Sequence, residues 1–296
     1  MQSTFSPSSL NCFEKCPRQY YFRYIEKVPV DTEGIEAFVG KRVHEVLERL
    51  YHFVLDGKVP SVERVVYRYH QSFLEHYDAA RIRIVREGMG VDDYRADGVR
   101  CLENYYRREY PFDTDQTLGL EKRIHFRLDP EGRYAVRGII DRLVRTREGE
   151  LEIHDFKTGR RVPRQEDLDR DRQLGLYELG IREQLGEDGP VRLVWHYVLR
   201  NQVRSSLRSP EQREELADKT MRSIDAIRCE TEWATKKSPL CSWCEYRSIC
   251  PAHNEALPQE PRAVVSTRHA RQPESTAGTG SQGPAERPSG DQLELL

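Results

Sequence analysis

Two stretches decide the fold: Tyr134-Ala135-Val136-Arg137-Gly138-Ile139-Ile140-Asp141-Arg142-Leu143, and Glu150-Leu151-Glu152-Ile153-His154-Asp155-Phe156-Lys157 beyond a turn at 145–149. Both alternate with the period of two that marks a strand. Side chains two apart share a strand face, so Leu151, Ile153, Asp155 and Lys157 point one way and Glu152, His154 and Phe156 the other. An aspartate and a lysine therefore meet at the end of an apolar face. If the two strands pair as a hairpin, Asp141, fourteen residues before Asp155, brings a second carboxylate to the same place. Phosphodiester hydrolysis needs this combination. Carboxylates hold divalent cations that acidify a bound water and stabilise charge on phosphate, and a lysine can orient or deprotonate that water. Asp and Lys two apart are nevertheless commonplace on solvated strands, and the pair alone does not establish the chemistry.

Outward from this pair the period changes. Upstream, Ile124, Phe126 and Leu128 alternate with charged residues, with Glu131-Gly132 as the turn into Tyr134. Before that, apolar residues recur at helical spacing from about Ile35 to Leu55, Val62 to Tyr77 and Val99 to Tyr110. Ser6-Pro7 signals an earlier helix start. Downstream the pattern predicts a helix over 166–185, a continuously apolar strand over 191–199 and a helix over 210–228, the last opened by the capping box Ser209-Pro210-Glu211-Gln212. The order is helices, three strands, helix, strand, helix, an α/β arrangement with a mixed central sheet. From Ser266 to Gly290 no apolar residue exceeds alanine in size, so 258–290 is expected to be a disordered linker after a domain over 1–257.

The 296 residues carry 47 basic and 49 acidic side chains, a net charge of −2, so affinity for nucleic acid has to come from a local groove. Arg160, Arg161, Arg164, Arg170 and Arg172 crowd the segment after Lys157, and Arg200, Arg204 and Arg208 flank the next connection. Interspersed Glu166, Asp167, Asp169 and Asp171 fit a solvated loop as well. Tyr20, Tyr21, Phe22, Tyr105 and Tyr106 can stack on bases, although an aromatic run is more simply core. No apolar run reaches the roughly 18 to 20 residues that span a bilayer, and the start lacks a signal peptide's pattern. A cytoplasmic protein is expected.

The set Gly40-x3-His44, Gly138-x2-Asp141-Arg142, Asp155-Phe156-Lys157-Thr158-Gly159 and Gln173-x3-Tyr177 resembles the RecB-like exonuclease branch of the PD-(D/E)XK nuclease superfamily over roughly residues 5–255. The resemblance implies a restriction-endonuclease-like core with an N-terminal helical region. It also implies that Mg2+ or Mn2+ is bound by His44, Asp141, Asp155 and the Phe156 carbonyl, that Lys157 positions the attacking water, and that Gln173 and Tyr177 support the site or touch DNA. Asp155 stands where Glu is commoner and Ile140 where the superfamily's name has Pro. Glu121, twenty residues before Asp141, occupies a place where some members carry an extra acidic ligand; a salt bridge to Arg123 is the plain alternative. DNA cleavage from ends in repair, recombination or replication is the implied activity. Trimming of new CRISPR spacers and catalysis-free binding of DNA ends are the alternatives.

Seven cysteines include the run Cys241-x2-Cys244-x5-Cys250, which alone suggests part of a zinc or iron-sulfur site. The same branch includes members in which one N-terminal and three C-terminal cysteines hold a 4Fe-4S cluster. That similarity adds Cys16 as fourth ligand and implies a C-terminal iron-sulfur subdomain; Cys12 is the rival fourth ligand, and Zn2+ is the alternative to the cluster. Cys101 and Cys229 read as ordinary buried thiols. The chain ends in Gln292-Leu293-Glu294-Leu295-Leu296, which resembles the peptide by which bacterial repair proteins bind the sliding clamp, through Gln292, Leu293, Leu295 and Leu296.

Overall fold

The Ser6 hydroxyl accepts from the Ser9 amide while the Ser9 hydroxyl accepts from the Ser6 amide at 2.9 Å, a reciprocal cap ahead of a first-turn proline. In the computed structural model, which describes residues 4–186 and 188–254, this cap separates β1 (Thr4–Phe5) from α1 (Pro7–Lys15). Cys16 is extended because Pro17 follows it, and the helix restarts as α2 (Pro17–Tyr20) and a π-type turn (Tyr21–Ile25). Next come β2 (Glu33–Gly34), α3 (Ile35–Leu55), α4 (Val62–His76), β3 (Ile82–Arg83) and α5 (Val91–Glu109). The strands β4 (Asp115–Arg127), β5 (Ala135–Thr146) and β6 (Leu151–Lys157) follow, then α6 (Gln165–Leu168), α7 (Arg172–Leu185), β7 (Val191–Tyr197), β8 (Gln202–Ser206) and α8 (Pro210–Cys229).

Six strands form one mixed sheet. β5 pairs with β1 in parallel and with β4 and β6 antiparallel; β6 pairs with β7 in parallel, and β8 closes the edge antiparallel to β7. One sheet face packs on α1, α2, α7 and α8, where Leu151, Ile153, Leu174, Leu176 and Trp195 share a core with Tyr20, Tyr21 and Phe22. The other face packs on α3, α4 and α5, where Phe156 joins Leu47, Tyr51 and Tyr105. A buried guanidinium ties this second layer to the sheet. Arg142 lies 4.0 Å from the centre of the Tyr51 ring, donates to Thr117 Oγ1 at 2.9 Å and pairs with Asp115.

Several expectations change. The helix expected from Val99 begins at Val91, because Asp93 accepts from the Gly90 amide at 2.7 Å; Gly98, within it, sits where a Cβ would lie 2.0 Å from the Tyr69 hydroxyl. The helix expected over 166–185 is two, since the Asp171 side chain accepts from the Leu174 amide at 2.9 Å and starts α7 afresh. The strand β8 replaces an expected connection. Tyr20, Tyr21, Phe22, Tyr105 and Tyr106 are buried, which removes them as base-stacking residues, and Cys229 is exposed rather than buried. Residues 239–254 form two 3-10 turns (Pro239–Trp243, Arg247–Ile249), with Tyr246 packed on Phe22. The linker and the clamp-like peptide ending at Leu296 lie outside the described residues. Among those described, no helix is long and apolar enough to cross a membrane.

Candidate active site

The hairpin of β5 and β6 sets Arg142 opposite His154, which makes Asp141 and Asp155 neighbours across the ladder. Asp141 Oδ2 accepts from the Phe156 amide at 2.7 Å. From α3, His44 reaches down with Nε2 2.9 Å from the Phe156 carbonyl and Nδ1 3.5 Å from Asp141 Oδ1. A carbonyl only accepts, so Nε2 carries a proton. Burial pulls the His44 pKa down, but the Asp141 and Asp155 carboxylates and the Phe156 carbonyl outweigh it and raise it to about 9. The surroundings thus favour positive charge at this spot. The approach of α3 depends on Gly40, where an added Cβ would lie 3.2 Å from Thr158 Oγ1.

Glu121 completes a group with His44 and Asp141: one ligand atom from each lies within 4.8 Å of the others. Its backbone φ of +43° is a left-handed conformation in mid-strand, the kind of local strain that side-chain aim at a site sustains. Burial, then the Asp141 charge, raises the Glu121 pKa. The ion pair with Arg123 expected as its alternative is not found among the described residues.

Asp155 is turned elsewhere. Only 3% exposed, it has Oδ2 2.7 Å from Lys157 Nζ as an ion pair, while Oδ1 accepts from Gln173 Nε2 at 3.0 Å. Gln173 Oε1 in turn accepts from Lys157 Nζ at 3.0 Å, so one amide holds both members of the pair, and its nitrogen also donates to the Tyr177 hydroxyl at 3.3 Å. Burial pushes the Asp155 pKa up to about 6, with Lys157 drawing it down and Asp141 raising it further. Burial would depress the Lys157 pKa, but its pairing with Asp155 outweighs this and raises it, which favours the charged ammonium. Gly138 is explained by the same contact: an added Cβ would lie 2.2 Å from the Tyr177 ring.

Behind β6 runs a buried chain that the sequence did not disclose. Arg108 donates to His196 Nδ1 at 2.8 Å, which leaves Nε2–H to donate to His154 Nδ1 at 2.8 Å, and His154 Nε2–H to donate to Glu152 at 2.8 Å. Alternation placed His154 on this face. Nothing in the sequence signalled that β7 would set His196 beside it.

The arginines scatter. Arg160 is paired with Asp97, Arg164 with Asp167 and Arg172 with Glu14, while Arg208 is buried and donates to the Asp171 carbonyl. Arg160 and Arg161 line a cleft beside Thr158 and Gly159; Arg164 is not among its lining residues. Cys16, Cys241, Cys244 and Cys250 line one cavity of about 250 Å3. Burial raises the Cys244 pKa to about 11, with the Cys16 and Cys250 thiols adding to the shift. Cys12, the rival ligand, is buried.

Residues 4–251 match the family model of the PD-(D/E)XK nuclease superfamily, and the chain belongs to that superfamily. Comparison with curated proteins gives no match. Among solved structures, a protein of Eubacterium rectale named "Putative exonuclease" is similar at 11% identity and a TM-score of 0.47, over 76% of this chain and 80% of that one. The protein SSO0001 is similar at 12% identity and a TM-score of 0.35, over 86% and 88%.

Proposed function

We propose that the protein is a divalent-metal-dependent DNA exonuclease of the RecB-like kind, acting on single-stranded or end-containing DNA. The observation that carries this reading is the convergence of His44, Glu121 and Asp141 on one point beside the Asp155–Lys157 pair. Hard oxygen donors with one imidazole suit Mg2+ or Mn2+. A cation held by His44, Glu121 and Asp141, with Asp155 and the Phe156 carbonyl adjoining, would supply Lewis acidity toward the phosphate and an acidified water.

The remaining chemistry falls to the chain's own groups. Lys157 has two of its three protons committed to Asp155 and Gln173, which aims the third and keeps the charge in place where phosphate oxygens become more negative. Gln173 acts as a positioning residue, since it touches both reactive side chains and is itself braced by Tyr177. An intact and assembled set argues against a DNA-end binder without catalysis.

A 4Fe-4S cluster on Cys16, Cys241, Cys244 and Cys250 belongs to the same reading. All four thiols border one cavity, which supports one shared centre for them.

End-labelled single- and double-stranded DNA incubated with Mn2+ or Mg2+ should be shortened from an end, and Asp155→Ala or Lys157→Ala should abolish the reaction. Cleavage that persists in either variant, in preparations free of contaminating nuclease, refutes the site. Stoichiometric zinc without iron or sulfide refutes the cluster.

A further inference from the structure

Three openings meet at one side chain. Trp243, 41% exposed, ends the turn that carries Cys241 and borders the cysteine cavity. It also borders a cleft of about 590 Å3 that reaches Thr158 and Gly159, the residues directly after Lys157. A groove of about 860 Å3 over the start of α3 shares Trp243 and Glu36 with that cleft, so the two are continuous at the indole. Leu240, 56% exposed, lies beside it in the cleft.

Isolated exposed apolar side chains are ordinary on a protein surface. The charges around this pair set it apart. Arg86 and Arg161 line the cleft, and among the described residues neither has a carboxylate within 4.0 Å, whereas Arg160 in the same cleft is neutralised by Asp97. An apolar platform flanked by unneutralised guanidiniums, a few residues from a phosphodiester-cleaving lysine, matches a ligand that alternates flat bases with phosphates. A duplex keeps its bases stacked inside and offers the indole no face.

We propose that Trp243, backed by Leu240, stacks a base of a single DNA strand whose phosphates lie along Arg86 and Arg161. The cysteine-bearing turns thereby set the path by which the strand reaches Lys157. This rests on the nuclease reading above.

The test uses full-length holoprotein carrying Lys157→Ala, so that probes survive, and fluorescence anisotropy with labelled oligothymidylate. Adding Trp243→Ala should weaken binding about 5- to 150-fold, the range for losing one aromatic base stack, while Trp243→Phe stays within about 3-fold. Arg161→Ala should make the dependence of log affinity on log salt shallower by about 0.7. The protein with Trp243 intact should bind a base-free deoxyribose-phosphate strand of equal length at least about 10-fold more weakly, a comparison that needs no variant of the turn. Cleavage of DNA by the unmutated protein, with equal binding of both strands and no effect of Trp243→Ala, overturns the proposal and leaves the nuclease reading standing. An equal loss of duplex binding in Trp243→Ala also overturns it, because damage to the turn then explains the result. No cleavage and no binding of either strand sinks both.

Discussion

Gly138→Ala should injure stability and catalysis together, through one contact. The new Cβ would lie 2.2 Å from Tyr177 Cε1 and 2.8 Å from Cδ1, far inside van der Waals contact. Tyr177 is 7% exposed and packed in the core, so its ring has little room to retreat. Overpacking of this kind costs about 1–3 kcal/mol, or roughly 2–10 °C in Tm for a domain of this size. If the ring swings away, the Tyr177 hydroxyl leaves Gln173, whose amide holds Asp155 at 3.0 Å and Lys157 at 3.0 Å. A displacement near 1 Å at such a group lowers kcat by about 10²-fold. Thermal melts and single-turnover cleavage measure the two effects. The double variant Gly138→Ala/Tyr177→Leu removes the obstructing ring, and its Tm should match that of Tyr177→Leu alone, which gives a coupling energy of about 1 kcal/mol or more. A Gly138→Ala protein that melts and cleaves like the parent, or a double variant whose losses simply add, refutes the argument.

Glu178 is fully buried between Arg182 at 3.0 Å and Arg213 at 3.3 Å, and Glu178→Ala, which takes the shared carboxylate from both guanidiniums, should destabilise by about 3–5 kcal/mol in urea melts. Burial first, then the neighbouring His154 ring and the Arg108 and Arg142 charges, hold the His196 pKa well below 6.5. The unfolded chain therefore binds the extra proton between that depressed value and 6.5, so this stabilisation is complete above pH 6.5 and fades as pH falls. The slope attributable to His196 is at most about 1.4 kcal/mol per pH unit; it should be missing from His196→Asn and so appear as the pH dependence of the difference between parent and variant melts. Mn2+ at about 100 times its Kd should stabilise the parent by about 2.7 kcal/mol, and Asp141→Ala should abolish the shift; an equal shift in both would place the cation elsewhere.

Much of the fold was legible because its elements announce their own ends. Ser6-Pro7 and Ser209-Pro210-Glu211-Gln212 carry caps whose hydrogen bonds are local, and both helices begin where these residues place them. What escaped notice depends on partners distant in sequence. Gly98 is tolerated in α5 because Tyr69, twenty-nine residues earlier, fills the space a side chain would need. Strand β8, Gln-Val-Arg-Ser-Ser, shows no apolar alternation because it is an edge with one neighbour and little to bury. Register, more than propensity, decides such elements.

The site divides along the same line. Alternation in β6 assigns Asp155 and Lys157 to one face and His154 and Phe156 to the other from local sequence alone, and the two cores on opposite sides of the sheet match that assignment. Periodicity gives a face, however, and not a partner. That Gln173 joins Asp155 to Lys157, or that Glu121 is bent toward His44 and Asp141, depends on how α7 and β4 dock, and no spacing within either element encodes it. Gly138 shows how tertiary information can still leave a trace: a strand interior rarely holds glycine unless another group needs the volume. Here the group is the Tyr177 ring, and behind that ring stands the amide that sets the lysine. A glycine that weakens its own strand is thus the local mark of a contact that spans 39 residues, from 138 to 177, and ends at the reactive pair.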